Sequence, residues 1–307
     1  MKFVFGPVPS RRLGASLGVN LVPYKVCSFD CLYCEVGKTT ELILERKRFF
    51  NPDDLLSEFK IKYKKRINKI DIVTFTGAGE PTLNIDLGYF AKEIKKIIDK
   101  PLAILTNSSL IMRDDVRREL MNFDIVVPSL DAVNELVFAK VNKPVNGLKV
   151  NDIIEGLKLF CDKFSGEVYI EVLLVKGVND SYEELQRLVE VLKNLKYTKV
   201  QLNTVFRPTS YKGIVGLSEK ELLEKALFLS KNGIRIETVG NYVRKLNNDD
   251  SSLFEDIVEL LKMRPCTKED LILLFGTAKI GEVIEQLLVE KIIIKKEYNG
   301  EIFYFRK

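Results

Sequence analysis

Residues 27–34, CSFDCLYC, place three cysteines within eight positions at the spacing C-x3-C-x2-C. A structural zinc site normally takes four protein ligands, whereas a catalytic metal site keeps one coordination position open. A four-iron cluster held by three thiolates likewise leaves one iron free to bind a small molecule. The other two cysteines, Cys161 and Cys266, lie far away in the sequence and are expected to be buried apolar residues. Zinc, a redox-active thiol pair and a three-thiolate cluster all remain as interpretations of this segment.

The composition indicates a soluble globular chain. Its 307 residues are 46% hydrophobic and 30% charged, which is enough for one large core, or for one large and one small domain. No apolar run approaches the roughly 20 residues of a membrane helix, and the first residues lack the features of a secretory signal. Closely spaced thiols in such a chain favour a metal site or catalysis over disulfides. We therefore expect a cytoplasmic protein with no membrane partner.

The chain contains no histidine. This excludes every mechanism that needs imidazole as a base or as a metal ligand. Ser-His-Asp hydrolases, His-ligated zinc proteases and His-Cys deaminases are therefore excluded as function classes.

Positive charge is concentrated near the cysteines. The net charge is +5, and residues 1–70 hold 14 Lys and Arg against 7 Asp and Glu. An anionic substrate is one interpretation of this excess, and a solvated helix face is the favoured one for residues 60–69. Arg11 and Arg12, in a Gly/Pro-rich segment, are candidates to bind a phosphate or carboxylate of the substrate. Pairing with a structural carboxylate is the alternative for both.

Short apolar segments alternate with amphipathic helices along the chain, which predicts a parallel sheet, either open or closed into a barrel. Asn51-Pro52 predicts a helix start, as do the capping boxes Ser181 with Glu184 and Ser218 with Glu221. The predicted strands are Leu17–Leu21, Ile70–Thr76, Leu102–Thr106, Ile125–Ser129, Val168–Val175, Lys199–Asn203 and Ile234–Thr238.

Polar residues lie on or directly after six successive strands. Because ligands bind at the carboxyl ends of parallel strands, these residues are expected to meet at one site. The segment after the second strand exposes carbonyls and one carboxylate, a combination that suits an ammonium group better than a phosphate. The set comprises the three cysteines, Gly77-Ala78-Gly79-Glu80, Thr106-Asn107-Ser108, Ser129-Leu130-Asp131, Glu171, and Gln201 with Asn203.

Taken together, these features resemble the radical S-adenosylmethionine (SAM) superfamily. The resemblance is carried by the cysteine loop after the first strand, by Tyr33 before its last cysteine, and by Gly77-Ala78-Gly79-Glu80-Pro81 after the second strand. It implies a partial or full (β/α) barrel over residues 1–245. It also implies a [4Fe-4S] cluster and SAM as cofactors. The implied cluster ligands are Cys27, Cys31 and Cys34, and the implied SAM-binding residues are Tyr33, Gly77, Ala78, Gly79, Glu80, Asn107, Ser129 and Asp131.

The resemblance also implies an activity. A reduced cluster cleaves SAM to a 5′-deoxyadenosyl radical, which abstracts hydrogen from a substrate, and an external one-electron reductant of the flavodoxin or ferredoxin type supplies the electron. Arg11, Arg12, Glu171, Gln201 and Asn203 are expected to face that substrate. Two alternatives stay open: a non-catalytic zinc or iron–sulfur module that binds nucleic acid, and a radical SAM enzyme acting on a peptide or protein, including glycyl-radical activation. A small metabolite is a further substrate class.

Within the superfamily, residues 6–14 and the segment through Cys34 resemble a group of small iron–sulfur proteins similar to the radical enzyme that forms the wyosine base of tRNA. That enzyme has a second cluster on three further cysteines, and only Cys161 and Cys266 remain here. We therefore do not expect the wyosine reaction, and we favour RNA modification slightly over the other substrate classes.

The last part of the chain is predicted to form a small separate domain, residues 246–307. Residues 239–252 are polar and predict a linker. Three helices and a hairpin through Asn299-Gly300 follow, a pattern that resembles a winged helix. Lys279 and Lys291 of the third helix are outnumbered by three glutamates, which is poor for nucleic acid. We expect a protein contact, a substrate lid or a dimerisation role.

Overall fold

Thirteen strands and ten helices are present in the computed structural model of this chain, which describes residues 3–10, 13–238, 253–275, 279–298 and 300–307. The strands are β1 Val4–Ser10, β2 Gly14–Val19, β3 Val26–Cys27, β4 Glu41–Leu42, β5 Ile72–Phe75, β6 Leu102–Thr106, β7 Ile125–Pro128, β8 Glu167–Leu174, β9 Lys199–Thr204, β10 Ile236–Thr238, β11 Cys266–Thr267, β12 Ile293–Tyr298 and β13 Glu301–Arg306. The helices are α1 Pro52–Arg66, α2 Leu87–Lys95, α3 Asp114–Leu120, α4 Glu135–Val141, α5 Val150–Cys161, α6 Tyr182–Leu192, α7 Glu219–Lys231, α8 Leu253–Met263, α9 Lys268–Phe275 and α10 Ile280–Val289.

The central sheet has the strand order β1-β2-β5-β6-β7-β8-β9-β10. Strand β1 is antiparallel to β2, and every other neighbouring pair is parallel. The order follows the chain without reversal, so right-handed crossovers place all of the connecting helices on one face of the sheet. The opposite face encloses the interior. This mixed α/β architecture with a parallel sheet is consistent with a partial (β/α) barrel.

All seven predicted strands are present, with ends that differ by at most three residues from the prediction. The sequence did not predict β1, because Gly6, Pro7 and Pro9 are residues that usually interrupt strands. They are tolerated here because β1 is the edge strand, and its pairing with β2 shifts register between Phe5 and Val8.

Two of the three predicted helix starts are confirmed in full. Asn51 caps α1 by accepting from the Asp53 N–H, and Ser218 forms a complete capping box with Glu221. The capping box predicted at Ser181 is confirmed only for the serine. Ser181 caps α6, but the carboxylate of Glu184 accepts from the Val133 N–H at 2.9 Å instead of returning to Ser181. Glu184 is buried, and it satisfies a loop N–H that would otherwise be desolvated without a partner.

The main core lies between the sheet and its helices. Its largest fully buried side chains include Phe59, Phe75, Phe90 and Phe160, and burial of each contributes about 1.5–3 kcal/mol. Cys161 is buried in this core, as predicted. Among the described residues, no helix combines the length and apolar character that a membrane span requires.

A second core is formed by α8, α9 and α10 against the sheet β11-β13-β12. It includes Cys266, which is buried as predicted, and it reaches the central sheet through Ala15 of β2. An ion pair of 2.7 Å between Arg66 and Asp256 joins α1 to α8. The predicted linker, residues 239–252, lies outside the described residues. The division at residue 245 and the winged-helix likeness stay predictions.

Candidate functional site

The three clustered cysteines lie on one short loop. Cys27 ends β3, which pairs with β4, and the Cys34 N–H donates to the Cys31 carbonyl at 3.2 Å. The loop is attached to the C-terminal end of α4, because the Leu32 N–H donates to the Val141 carbonyl at 2.9 Å. Cys27 and Cys31 are buried and Cys34 is half-buried. All three line a single cavity of about 170 Å³.

Most of the residues predicted to bind a cofactor line this same cavity. They come from the carboxyl ends of successive parallel strands, as the topology rule requires. The structure thus brings these side chains to one place even though up to 102 positions of sequence separate the first cysteine from the last of them. The predicted residues on its wall are Tyr33, Gly77, Ala78, Gly79, Glu80, Asn107 and Ser129.

The glycine-rich segment packs against the backbone that leads into Cys27. The Ala78 N–H donates to Asn20 Oδ1 at 3.1 Å, and the Glu80 N–H donates to the Val26 carbonyl at 3.1 Å. Gly77 has φ +145°, and a Cβ on Gly79 would lie 1.7 Å from the Val26 oxygen. Neither position accepts a side chain without moving the backbone, so both glycines are required for this close approach.

Glu80 is buried and joins three strand ends. Its Oε1 accepts from the Thr82 N–H, the Thr82 hydroxyl and the Thr106 hydroxyl, and its Oε2 accepts from the Asn107 N–H at 2.7 Å. Burial raises the pKa of Glu80, and these hydrogen bonds offset part of that effect. Since Oε1 has three donors and Oε2 has one, Oε2 is the oxygen with acceptor capacity left for a ligand.

Side-chain amides donate to two of the sulfurs. Asn107 Nδ2 lies 3.5 Å from Cys27 Sγ, and Asn142 Nδ2 lies 3.6 Å from Cys31 Sγ. Burial raises the pKa of Cys27 to about 11 and that of Cys31 well above its ordinary value. Burial therefore disfavours the thiolate form of both cysteines.

Lys25 also lines the cavity, and the sequence analysis missed it. The residue is buried, and its Nζ donates to Thr39 Oγ1 at 3.2 Å. Burial lowers the pKa of Lys25, but the negative charge of thiolates at Cys34 and Cys27 raises it on balance. Nothing in the sequence marked Lys25 as a site residue, because the chain contains 48 Lys and Arg and a single lysine near the cysteines does not stand out among them.

Asp131, which was predicted to lie near the ribose or carboxylate of SAM, is hydrogen-bonded to the cysteine loop. Its Oδ2 accepts from the Tyr33 hydroxyl and from Asn142 Nδ2, and its Oδ1 accepts from the Leu173 N–H at 2.9 Å. Burial raises the pKa of Asp131 to about 6. It is not among the residues that line the 170 Å³ cavity, and it supports the cysteine loop from behind.

A second cavity, of about 320 Å³, adjoins the first. The two share wall residues that include Tyr33, Cys34 and Ser129. Glu171 and Asn203, which were predicted to face a substrate, line the second cavity. The sequence analysis missed two further residues on its wall, namely Arg207 and Arg264.

One of the predicted substrate residues, Gln201, lies elsewhere. Gln201 is fully buried and donates to Glu237 Oε2 at 2.9 Å, so it does not reach this wall. Arg11 and Arg12 lie outside the described residues.

The three consecutive basic residues Arg46, Lys47 and Arg48 all form ion pairs with carboxylates of the same chain. Arg46 is buried between Asp115, at 2.8 Å, and Glu119, and it also donates to the carbonyls of Thr82 and Asn84. The other two cations of the run pair with carboxylates as well: Lys47 with Glu41 and Arg48 with Asp86. On helix α1, Lys60, Lys64 and Lys65 are exposed, as predicted for a solvated face. The charge of residues 46–48 is therefore neutralised within the fold.

The donor set disfavours a single-metal site. Among the described residues, no three Cys, Asp or Glu side chains are arranged to hold one metal ion. A structural zinc ion needs four such ligands converging on one point. The three thiols line one cavity, and three thiolates are too few to close such a structural zinc site.

This chain is similar in sequence to known proteins. Residues 21–192 match the sequence profile of the Radical SAM superfamily. A UPF0026 protein of Methanocaldococcus jannaschii is 37% identical over 315 residues, which cover 100% of this chain and 96% of that protein. A dual-specificity RNA methyltransferase RlmN of Campylobacter hominis is 28% identical over 68% of this chain and 58% of that protein.

Three solved structures share the fold. A radical SAM methyltransferase from Sphaerobacter thermophilus has a TM-score of 0.57 at 18% identity, over 75% of this chain and 67% of that one. TYW1 with a lysine-pyruvate adduct bound has a TM-score of 0.54 at 18% identity, over 74% and 76%. Streptococcus suis SuiB bound to precursor peptide SuiA has a TM-score of 0.55 at 16% identity, over 76% and 51%. At these identities the likeness concerns the fold alone.

Proposed function

This chain belongs to the radical SAM superfamily, and from that membership we propose that Cys27, Cys31 and Cys34 bind a [4Fe-4S] cluster with one iron left open for SAM. The family implies an iron–sulfur cluster and SAM. One observation carries the assignment to these residues: the three thiols line the same 170 Å³ cavity as Gly77–Glu80. Three thiolates without a fourth protein ligand leave one coordination position vacant, which is what a chelating cofactor requires.

The walls of the cavity supply the contacts that SAM needs. The methionine ammonium is assigned to the carbonyls of Gly77, Ala78 and Gly79 and to Glu80 Oε2, which has only the Asn107 N–H as a donor, whereas the Glu80 carbonyl accepts from the Leu83 N–H. Asn107 and Ser129, on the neighbouring wall, are assigned to the ribose or the carboxylate. Tyr33 separates this cavity from the second one, since it lines both.

The chemistry belongs to the cofactors. Bound at this site, a [4Fe-4S] cluster and SAM would supply the radical chemistry of the family, in which one electron from an external reductant is used to cleave SAM and a hydrogen atom is taken from the substrate. The protein holds the reactants together, excludes water from a buried cavity and donates hydrogen bonds to the sulfurs. Asn107 and Asn142 provide those hydrogen bonds and so tune the reduction potential.

We infer that the substrate is RNA. One observation supports this choice, namely the similarity to an RNA methyltransferase over 68% of the chain. The second cavity, at about 320 Å³, has room for a single moiety presented to the site and not for a folded partner.

Anaerobic reconstitution tests the proposal. We expect four irons per chain and release of 5′-deoxyadenosine that requires dithionite, with the rate increased by RNA. One zinc per chain without SAM cleavage would instead support a non-catalytic nucleic-acid-binding module. Stimulation by a peptide and not by RNA would retain the radical chemistry and overturn the choice of substrate.

A further inference from the structure

Two arginines from distant parts of the chain meet at the second cavity. Arg207 follows β9, and Arg264 lies between α8 and β11 in the C-terminal segment. Both line the 320 Å³ cavity beside Tyr33 and Cys34. The C-terminal segment therefore contributes a charged side chain to the wall of a cavity inside the central sheet.

The guanidinium group of Arg207 is fixed in place. Only 8% of the residue is exposed, and its terminal nitrogens lie 3.7 Å from Glu35 Oε1 and 3.5 Å from Asp270 Oδ2. Glu35 directly follows Cys34, and Asp270 belongs to α9. Arg207 thus joins the cysteine loop to the C-terminal segment, with its orientation set from both sides.

One nitrogen on each arginine has no partner. In the part of the chain that the structure describes, Nε of Arg207 and Nε of Arg264 are both buried and form no hydrogen bond. A buried donor without an acceptor costs about 1–3 kcal/mol, so native proteins rarely keep one without a reason. Both donors belong to side chains that line the 320 Å³ cavity, so an acceptor group of a bound ligand is one way to satisfy them.

We propose that Arg264 and Arg207 form an oxyanion site that binds a carboxylate or phosphate group of the substrate. This inference rests on the proposed function, because it assigns the second cavity to the substrate of that reaction. Guanidinium groups match the planar, multi-oxygen geometry of both anions. Since Glu35 and Asp270 already pair with Arg207, Arg264 supplies most of the charge and Arg207 supplies an oriented N–H.

The position of the two arginines in the cavity would orient a bound substrate. The cavity extends from the two arginines to the wall that it shares with the cysteine cavity, at Tyr33 and Ser129. An anion held at the arginines leaves the remainder of the substrate directed toward that shared wall. Glu35 and Glu171 also line this cavity, and their carboxylates disfavour a second negative group on the substrate.

Anion binding to the full-length, cluster-loaded protein with SAM tests the site. The probes are inorganic phosphate and acetate, titrated by calorimetry. We expect Arg264→Gln to weaken anion binding at least tenfold. We expect Arg264→Lys to retain part of the affinity, because lysine keeps the positive charge but lacks the paired N–H donors of the guanidinium group. Arg118→Gln is the matched control, since Arg118 is exposed and pairs only with Asp114 on its own helix. Iron content and thermal unfolding verify that each variant is folded.

The outcomes separate this inference from the proposed function. Tighter binding of phosphate or of acetate identifies the group on the substrate, and both support the site. No saturable binding, or equal affinity in Arg264→Gln, overturns it even if SAM is cleaved. Arg264-dependent anion binding by a protein that does not cleave SAM retains the site and overturns the proposed function.

Discussion

The Tyr33 hydroxyl donates a hydrogen bond to the Asp131 carboxylate, although 98 positions of sequence separate the two residues. Tyr33 lies directly before Cys34, and Asp131 follows β7. The same carboxylate accepts from Asn142, whose amide also donates to Cys31 Sγ. The position of the cysteine loop is therefore set by a buried polar network behind it, and this network is fully formed by protein groups.

Tyr33→Phe tests that network. Asp131 loses one of its three donors while the ring is kept, so we expect a loss of about 1–2 kcal/mol in the free energy of unfolding. Denaturant unfolding of the metal-free chain measures it. The control is Tyr24→Phe, because the Tyr24 hydroxyl donates to the Val36 carbonyl at an exposed site and its loss costs less. Equal losses of unfolding free energy in the two variants would show that the buried Tyr33–Asp131 hydrogen bond stabilises the fold no more than the exposed one.

Replacement of each clustered cysteine by serine tests the ligand assignment. We expect Cys27→Ser, Cys31→Ser and Cys34→Ser to lose most of their iron and at least 100-fold of the SAM cleavage rate, because serine is a poor ligand for iron in such clusters. Iron content and the absorbance of the reconstituted cluster measure the first effect. Cys161→Ser is the control, since that thiol is buried in the main core away from the cavity. Full iron content in any of the three variants would contradict the assignment.

Gly79→Ala tests the close approach at the glycine-rich segment. The added Cβ would lie 1.7 Å from the Val26 oxygen, so the backbone beside Cys27 must shift. We expect a stability loss of about 1–3 kcal/mol, as in other overpacked sites, and at least a tenfold loss of SAM affinity. Equilibrium binding of SAM to the reconstituted protein measures the latter. Gly281→Ala lies in α10 with open space around it and is expected to change stability by less than about 1 kcal/mol without an effect on SAM.

Asn107→Ala tests the hydrogen bond to Cys27 Sγ, which is 3.5 Å long. An N–H donor stabilises the more negative, reduced cluster, so its removal is expected to lower the reduction potential. A redox titration without SAM measures this shift independently of any contact between Asn107 and the cofactor. Asn194→Ala, whose amide caps a carbonyl on exposed helix α6, serves as the control. A reduction potential that rises or stays constant in Asn107→Ala would contradict a role of the Asn107 amide as a donor to Cys27 Sγ.

Asp115→Asn tests the ion pairs around buried Arg46. The hydrogen bond from Arg113, together with that from Arg46, holds the pKa of Asp115 well below its ordinary 3.8. A depressed pKa stabilises the fold above the ordinary value, and this contribution is lost as the pH falls. The side chain is 37% exposed, so we expect a loss of only about 1 kcal/mol at pH 7.

The difference between Asp115→Asn and the parent chain is expected to shrink below about pH 4, because the carboxyl group is then protonated in the unfolded chain. Unfolding of the metal-free protein at several pH values measures it. Asp162→Asn, which breaks only an exposed pair with Lys196, is expected to have no more than a small effect at any pH. A difference for Asp115→Asn that is independent of pH would argue against the ion pair as its cause.

Much of the architecture was predictable because it depends on local pattern. Apolar segments separated by capped helices indicated the parallel sheet, and the seven predicted strands are present. Strand β1 was missed because its glycine and prolines oppose strand formation, whereas pairing with β2 and the hydrogen bond from the Val4 N–H to Glu58 stabilise it in the fold. Glu184 was assigned to its own helix cap, but a loop N–H from Val133 is closer to it in the fold.

Some residues of the candidate site were predicted from the sequence, and others were found only in the structure. Tyr33, Gly77–Glu80, Asn107 and Ser129 lie on the cavity of the three cysteines, where strand-end topology predicted them. Lys25, Arg207 and Arg264 gave no signal, because isolated cations are common in this chain and no short motif contains them. Asp131 had the correct location along the chain, but its oxygens are occupied by protein donors.

The sequence by itself determined the family, the sheet and the segment that carries the cysteines, since these depend on residue spacing and on the periodicity of apolar residues. The tertiary structure decided which polar atoms are satisfied by the protein and which are left for a ligand. That difference depends on contacts between residues far apart in the chain, such as Arg207 with Glu35 and Asp270. Hydrogen bonding acts over about 3 Å, so only the folded positions of the atoms reveal it.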